Sequence, residues 1–134
     1  MPVVQIEALP QPDQVDLGHA MRAVREAVAS GLECDPGVVW VTWRTLDAYL
    51  CHDQLPESQP RPPHPPHASH DPILRIIAFE GRDEHRIAGA LQGAATVLAG
   101  ALGLNPGGVF AIYEEGTSGR VCTGGEIRRA PAKA

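Results

Sequence analysis

Apolar residues recur along the chain with two different periods. In PVVQIEAL, residues 2–9, they crowd together and are partly β-branched, which predicts a short strand. Beyond it, in the stretch Asp13 to Glu33, they fall at Leu17, Ala20, Met21, Val24, Ala27 and Val28. Steps of three and four of this kind line one face of a helix. Asp13 or Asp16 can cap its start, and Gly31 stands near its end. Asp35-Pro36-Gly37 reads as a turn, and VVWVTW after it as a second strand. The same order then recurs. PILRIIAF at 72–79 predicts a strand, followed by a helix over about 84–102, a turn at Asn105-Pro106-Gly107 and a strand over 109–114. Glycines at 89, 93, 100 and 103 weaken the second helix intrinsically and suit close helix–sheet packing.

The recurrence is a repeat in register. Pro2 and Pro72, Leu32 and Leu102, Asp35 and Asn105, Pro36 and Pro106, Gly37 and Gly107, Val39 and Val109, and Trp40 and Phe110 are all 70 positions apart. One gap-free offset across two separated blocks marks two versions of a single unit. A strand–helix–strand unit closes as a right-handed crossover with parallel strands. Two of them predict an α/β (α+β) fold, a four-stranded sheet with both helices on one face. The expected organisation is one domain: a first β-α-β unit at 1–51, a Pro/His-rich linker at 52–71, a second unit at 72–127, and a flexible tail from Arg128 to 134.

Composition narrows the function. At 134 residues, 43% hydrophobic and 20% charged, the chain has globular proportions. A net charge of −5 disfavours nucleic acid as a partner. The chain has no apolar run of the roughly 18 residues that mark a membrane span, and no secretory signal opens it. Cys34, Cys51 and Cys122 lack paired spacing, which fits free thiols in the cytoplasm. His52, His64, His67 and His70 are irregularly spaced among prolines and read as a solvated linker, so no metal and no other cofactor is expected.

Three places carry candidate chemistry. A Met followed by a small residue is normally trimmed, which leaves Pro2 with a secondary amine as the chain terminus. Such an amine has an ordinary pKa of roughly 8, and apolar surroundings or a nearby cation lower it toward a general base usable at neutral pH. Val3, Val4, Trp40, Phe110 and Val121 can supply the apolar wall. Glu80-Gly81-Arg82 falls where strand passes to helix, with Arg82 able to offer a fork to a carboxylate. The run CTGGEI, 122–127, fits a hairpin or a turn beneath a ligand.

Taken in order, Pro72, the strand, Phe79-Glu80-Gly81-Arg82, the helix, Leu104-Asn105-Pro106, the strand and Gly124-Gly125-Glu126 resemble 4-oxalocrotonate tautomerase, the short-chain type of the tautomerase superfamily. The first half resembles the same unit more distantly and owns the terminal Pro2. The resemblance implies a tautomerase/MIF-like fold, a homotrimer of two-unit chains, and a cofactor-free isomerase. It also implies a small enol or unsaturated acid as substrate, with Pro2 as general base or acid and Arg82 binding its carboxylate. The arginine usual on the strand after the helix is replaced by Trp40 and Phe110, and the aromatic position of the C-terminal hairpin falls near Val121. Arg75, Arg120 and Arg44 are the candidate replacement cations, with Tyr113 and Glu114 as candidate proton donor or water-orienting group. Two alternatives stand beside the isomerase: a hydratase or decarboxylase using the same Pro2 site, and a non-catalytic oligomeric binding module.

Overall fold

The computed structural model describes residues 1–47 and 72–131. The proline-rich linker with its four histidines and Cys51, and the last three residues, lie outside the described residues. Six strands and two helices follow in the order β1 (Val3–Ala8), α1 (Leu17–Leu32), β2 (Trp40–Thr45), β3 (Ile73–Phe79), α2 (Glu84–Leu102), β4 (Phe110–Gly116), β5 (Val121–Thr123) and β6 (Glu126–Arg128). The main sheet has the order β2-β1-β3-β4. Within each unit the two strands are parallel, and β1 meets β3 antiparallel at the centre. The units are thus related by an approximate two-fold axis between β1 and β3.

Alternation along the strands assigns the two faces. Val4, Ile6 and Ala8 of β1 and Leu74, Ile76 and Ala78 of β3 are buried. They meet Ala20, Val24, Val28, Ala29 and Leu32 of α1 and Ala90, Ala94, Leu98, Ala99 and Leu102 of α2. Every one of these buried positions has its buried counterpart 70 residues on, and only Val39, whose counterpart Val109 is half-buried, departs from the pattern, so the sequence repeat is a repeat of the core itself. Both helices cover this one face. The other face carries Trp40, Phe110 and Ile112, all exposed.

The turns repeat as well. Asp35 accepts a hydrogen bond from the Gly37 amide at 2.7 Å, and Asn105 accepts from Gly107 at 2.9 Å. Each starts a single 3-10 turn, Pro36–Val38 or Pro106–Gly108, with proline in its first position. Asp16, not Asp13, caps α1, accepting from the His19 amide at 3.0 Å. That bond holds the Asp16 carboxyl below its ordinary value. A lowered folded-state pKa contributes stability above the ordinary carboxylate range and loses it as pH falls through the folded value. Asp16→Ala is therefore expected to lower the thermal midpoint at neutral pH. The gap from the parent protein closes in acid, as calorimetric scans from pH 7 down to pH 3 would record.

Two glycine assignments change. Gly31 does not end α1. The αL cap is Glu33, at φ 56°, matched 70 residues on by Gly103 at φ 70°. Gly31 is instead the contact between the helices: a Cβ there would lie 2.4 Å from the Ala90 amide nitrogen. Gly89 and Gly93 face Gly31 and Ala27 of α1, so these small residues permit close helix–helix rather than helix–sheet packing. The helices cross antiparallel at this point, and Arg86 ties α2 to Glu33 at 2.6 Å.

Candidate active site

A pocket of 350 Å³ opens on the helix-free face where β1 begins and β3 and β4 end. The pairing of Val3 with Trp40 on one side and Ile77 on the other brings these elements together. Met1, Val3, Trp40, Ile77, Phe79 and Val121 give it an apolar lining. Cys122, Thr123, Gly124 and Arg128 close it from the β5–β6 hairpin. Gly124 and Gly125, at φ 60° and 81°, form the two-residue turn of that hairpin, a conformation that favours glycine at both places.

The hairpin is tied down rather than loose. The Glu80 amide donates to the Gly116 carbonyl at 3.0 Å, and the Glu80 carboxylate accepts from the Ser118 amide. The Ser118 hydroxyl accepts from the Ala130 amide at 2.8 Å, and the Gly119 amide donates to the Arg128 carbonyl at 2.8 Å. Gly81, at φ 115°, lets the chain turn away immediately after Glu80. Gly116 packs so closely that a Cβ there would meet the Val121 side chain at 2.4 Å. Arg128 thus belongs to β6 and Ala130 to a hydrogen-bonded clamp, where the sequence predicted the start of a loose tail.

Pro2 is fully buried and is not itself among the lining residues, although its neighbours Met1 and Val3 are; its carbonyl accepts from the Trp40 amide at 3.0 Å. Pro72 holds the related place against Phe110, also at 3.0 Å, at the opposite end of the sheet. Its nitrogen follows Asp71 and is an amide, so the two-fold symmetry of the fold does not extend to the chemistry.

Of the residues singled out in the sequence, Trp40 and Val121 line the pocket beside Val3. Val4 points into the core, and Phe110 sits with Pro72. Arg75 of β3 and Glu114 of β4 are diagonal neighbours, Arg75 being opposite Ile112 and Glu114 opposite Ile77, and they pair with each other at 2.6 Å. Glu114 raises the Arg75 guanidinium above its ordinary value. Tyr113 faces the helix layer. Burial pushes its phenol up, opposed by the nearby Arg82 guanidinium, although its hydroxyl has no partner at hydrogen-bonding geometry. Arg82 donates to the Phe79 carbonyl at 3.4 Å and does not line the pocket of its own chain. Arg120 is exposed in the connection before β5, and Arg44 is 3.9 Å from Glu7 on the open face. Ile77 and above all Arg128 were not singled out in the sequence, and Phe79 was named only as part of the Phe79-Glu80-Gly81-Arg82 segment. The alternating pattern of β3 could have placed Ile77 and Phe79 on this face. Arg128 carried no signal, because only the hairpin geometry brings it back to β1.

Among the described residues no group of His, Cys, Asp and Glu is arranged to hold a metal ion. No helix among them is long and apolar enough to cross a membrane.

This architecture, two β-α-β units in one chain with the helices on one face, is the fold of solved fused 4-OT structures. Native fused 4-OT superposes with a TM-score of 0.77 at 12% identity, covering 93% of this chain and 94% of that one. A wild-type fused 4-OT described as a symmetric trimer gives 0.75 at 8% identity over 94% of both chains. Pt0534 inactivated by 2-oxo-3-pentynoate gives 0.73 at 17% identity, again over 94% of both. No family model matches the sequence, and no curated protein matches it either.

Proposed function

We propose that this protein is a cofactor-independent tautomerase that interconverts the enol and keto forms of a small 2-hydroxy or 2-oxo unsaturated acid. The observation that carries the reading is the place of Pro2 on this fold, between Met1 and Val3, both of which line an apolar pocket. Removal of Met1 converts the Pro2 amide into a secondary amine and clears space beside it in one step. The surrounding Val3, Trp40, Ile77 and Phe79 disfavour the charged amine, which leaves a lone pair to take a proton from oxygen or carbon and return it at the other end of the enol. The resemblance assigns carboxylate binding to Arg82, which can reach a Pro2 pocket only across an interface with another copy of the chain. The similarity of the inactivated Pt0534 fits the same chemistry, since its inactivator is a 2-oxo acid.

The hydratase alternative relied on Glu114 to activate water. The pairing of Glu114 with Arg75 engages that carboxylate, which favours isomerisation. The test is ultraviolet-followed ketonisation of 2-hydroxymuconate and of phenylenolpyruvate, with Met1 removal confirmed by intact mass. Conversion above the buffer rate for either supports the reading. Two flat traces from protein with a free Pro2 amine would overturn it in favour of a binding module.

The same reading includes a homotrimer. Strands β2 and β4 leave unpaired sheet edges, and the open face exposes Trp40 and Phe110 by more than half. Burying these is a strong reason to associate, and a fused 4-OT of this fold is a trimer. Sedimentation equilibrium is expected to return three times the chain mass; a monomer at micromolar concentration would contradict it.

A further inference from the structure

We propose that Arg128 is the in-chain cation that holds the substrate carboxylate, and that the pocket selects an enol acid with one carboxylate and an apolar remainder over a dicarboxylate. The inference rests on the pocket assigned above, not on the proton chemistry at Pro2.

Arg128 is the one charged residue among those lining the pocket. Among the described residues its side chain has no ion-pair or hydrogen-bond partner; Arg120 and Arg129 beside the hairpin are likewise unpartnered there but do not line the pocket, and the arginines nearer the main sheet are engaged. Arg75 is held by Glu114 at 2.6 Å, Arg86 by Glu33 at 2.6 Å, and Arg82 by the Phe79 carbonyl. A guanidinium beside an apolar pocket with its donors free is a ready bidentate partner for a carboxylate.

The backbone beneath Arg128 is fixed. Arg128 pairs with Val121 across the hairpin, its carbonyl accepts from Gly119, and two residues on the Ala130 amide is held by Ser118. Glu80 holds Ser118 in turn, so the glutamate of the Glu80-Gly81-Arg82 segment positions the hairpin that carries the cation. Lining the same pocket from the main sheet are Val3, Trp40, Ile77 and Phe79. A second carboxylate placed against that wall would lose its hydration and find no second cation of the same chain. An alkyl or aryl remainder would gain from the same burial.

Calorimetric titration with two unreactive probes separates this from the Pro2 reading. Hydrocinnamate carries one carboxylate and an apolar tail; adipate carries two carboxylates. Hydrocinnamate is expected to bind the parent protein more tightly than adipate. Arg128→Gln is expected to weaken hydrocinnamate by roughly 10-fold to 100-fold, the range for losing a charge-assisted hydrogen-bonded pair. Methyl hydrocinnamate, which lacks the charge, is expected to bind both proteins equally, an outcome a merely structural effect would not give. Arg129→Gln, next in the chain but outside the pocket, serves as the control. Unchanged hydrocinnamate binding in Arg128→Gln overturns the role of Arg128, and tighter binding of adipate overturns the substrate class. Probe binding that depends on Arg128 in a protein without ketonisation activity would sink the Pro2 reading and leave this one standing.

Discussion

Replacing Pro2 by alanine, in protein whose Met1 has been removed, is expected to slow ketonisation by roughly 100-fold to 10,000-fold, the usual worth of a positioned general base. Alanine still has a terminal amine, but a primary one without the ring that fixes the direction of its lone pair. Because Pro2 is fully buried, the substitution also leaves a small void, so the fold is checked by circular dichroism. A second variant removes the ambiguity. A serine inserted between Met1 and Pro2 keeps the ring and its packing but turns the nitrogen into an amide, which has no basic lone pair. It is expected to be as inactive as Pro2→Ala. A normal rate in either variant would mean that the proton is moved by another group.

The second large effect concerns stability. Gly31→Ala is expected to destabilise the protein by about 3 kcal/mol, near the upper end of the usual cost of overpacking. The added Cβ would sit 2.4 Å from the Ala90 nitrogen, 2.5 Å from its Cα and 2.7 Å from the Gly89 carbonyl carbon. All three are backbone atoms of α2, so no side chain can swing aside and the helices themselves must separate. Gly100→Ala is the contrasting case. It lies within α2 with nothing within 4 Å of the added Cβ, so it is expected to stabilise by about 0.5–1 kcal/mol through helix propensity alone. Urea unfolding midpoints of the two variants should move in opposite directions. A neutral Gly31→Ala would mean that the helix contact is not as close as described.

The same glycine illustrates what a linear reading leaves open. Near the end of a helical pattern, Gly31 looks like a cap, because glycine accepts the left-handed conformation at low cost. The cap is Glu33, a residue with a Cβ, and the glycine was needed where another backbone passes. Nothing in the chain from 13 to 33 specifies that Ala90 will lie opposite. The site divides in the same way. Trp40 and Val121, which line the pocket, were among the residues the sequence offered for its apolar wall. Arg75 and Glu114 were legible as candidates but not as each other's partner, a pairing set by the parallel register of β3 and β4. Phe110 was read as equivalent to Trp40, and it is, but at Pro72, where the nitrogen is an amide.

The sequence by itself determined the two-unit architecture. A repeat at a constant offset, with strand and helix periods in each copy, leaves one economical way to bury both apolar faces: one sheet under two helices. Local chemistry also determined the paired Asx-Pro-Gly turns and the two-glycine hairpin, since each depends on residues within a few positions of one another. Only the tertiary structure decided which cation lines the pocket beside Met1 and Val3. Arg128 is 126 positions beyond Pro2, and it reaches the pocket through a hairpin anchored by Glu80 and Ser118 and packed against Gly116. Such a contact is the product of several backbone directions taken together, and none of them is written in the residues immediately around Arg128.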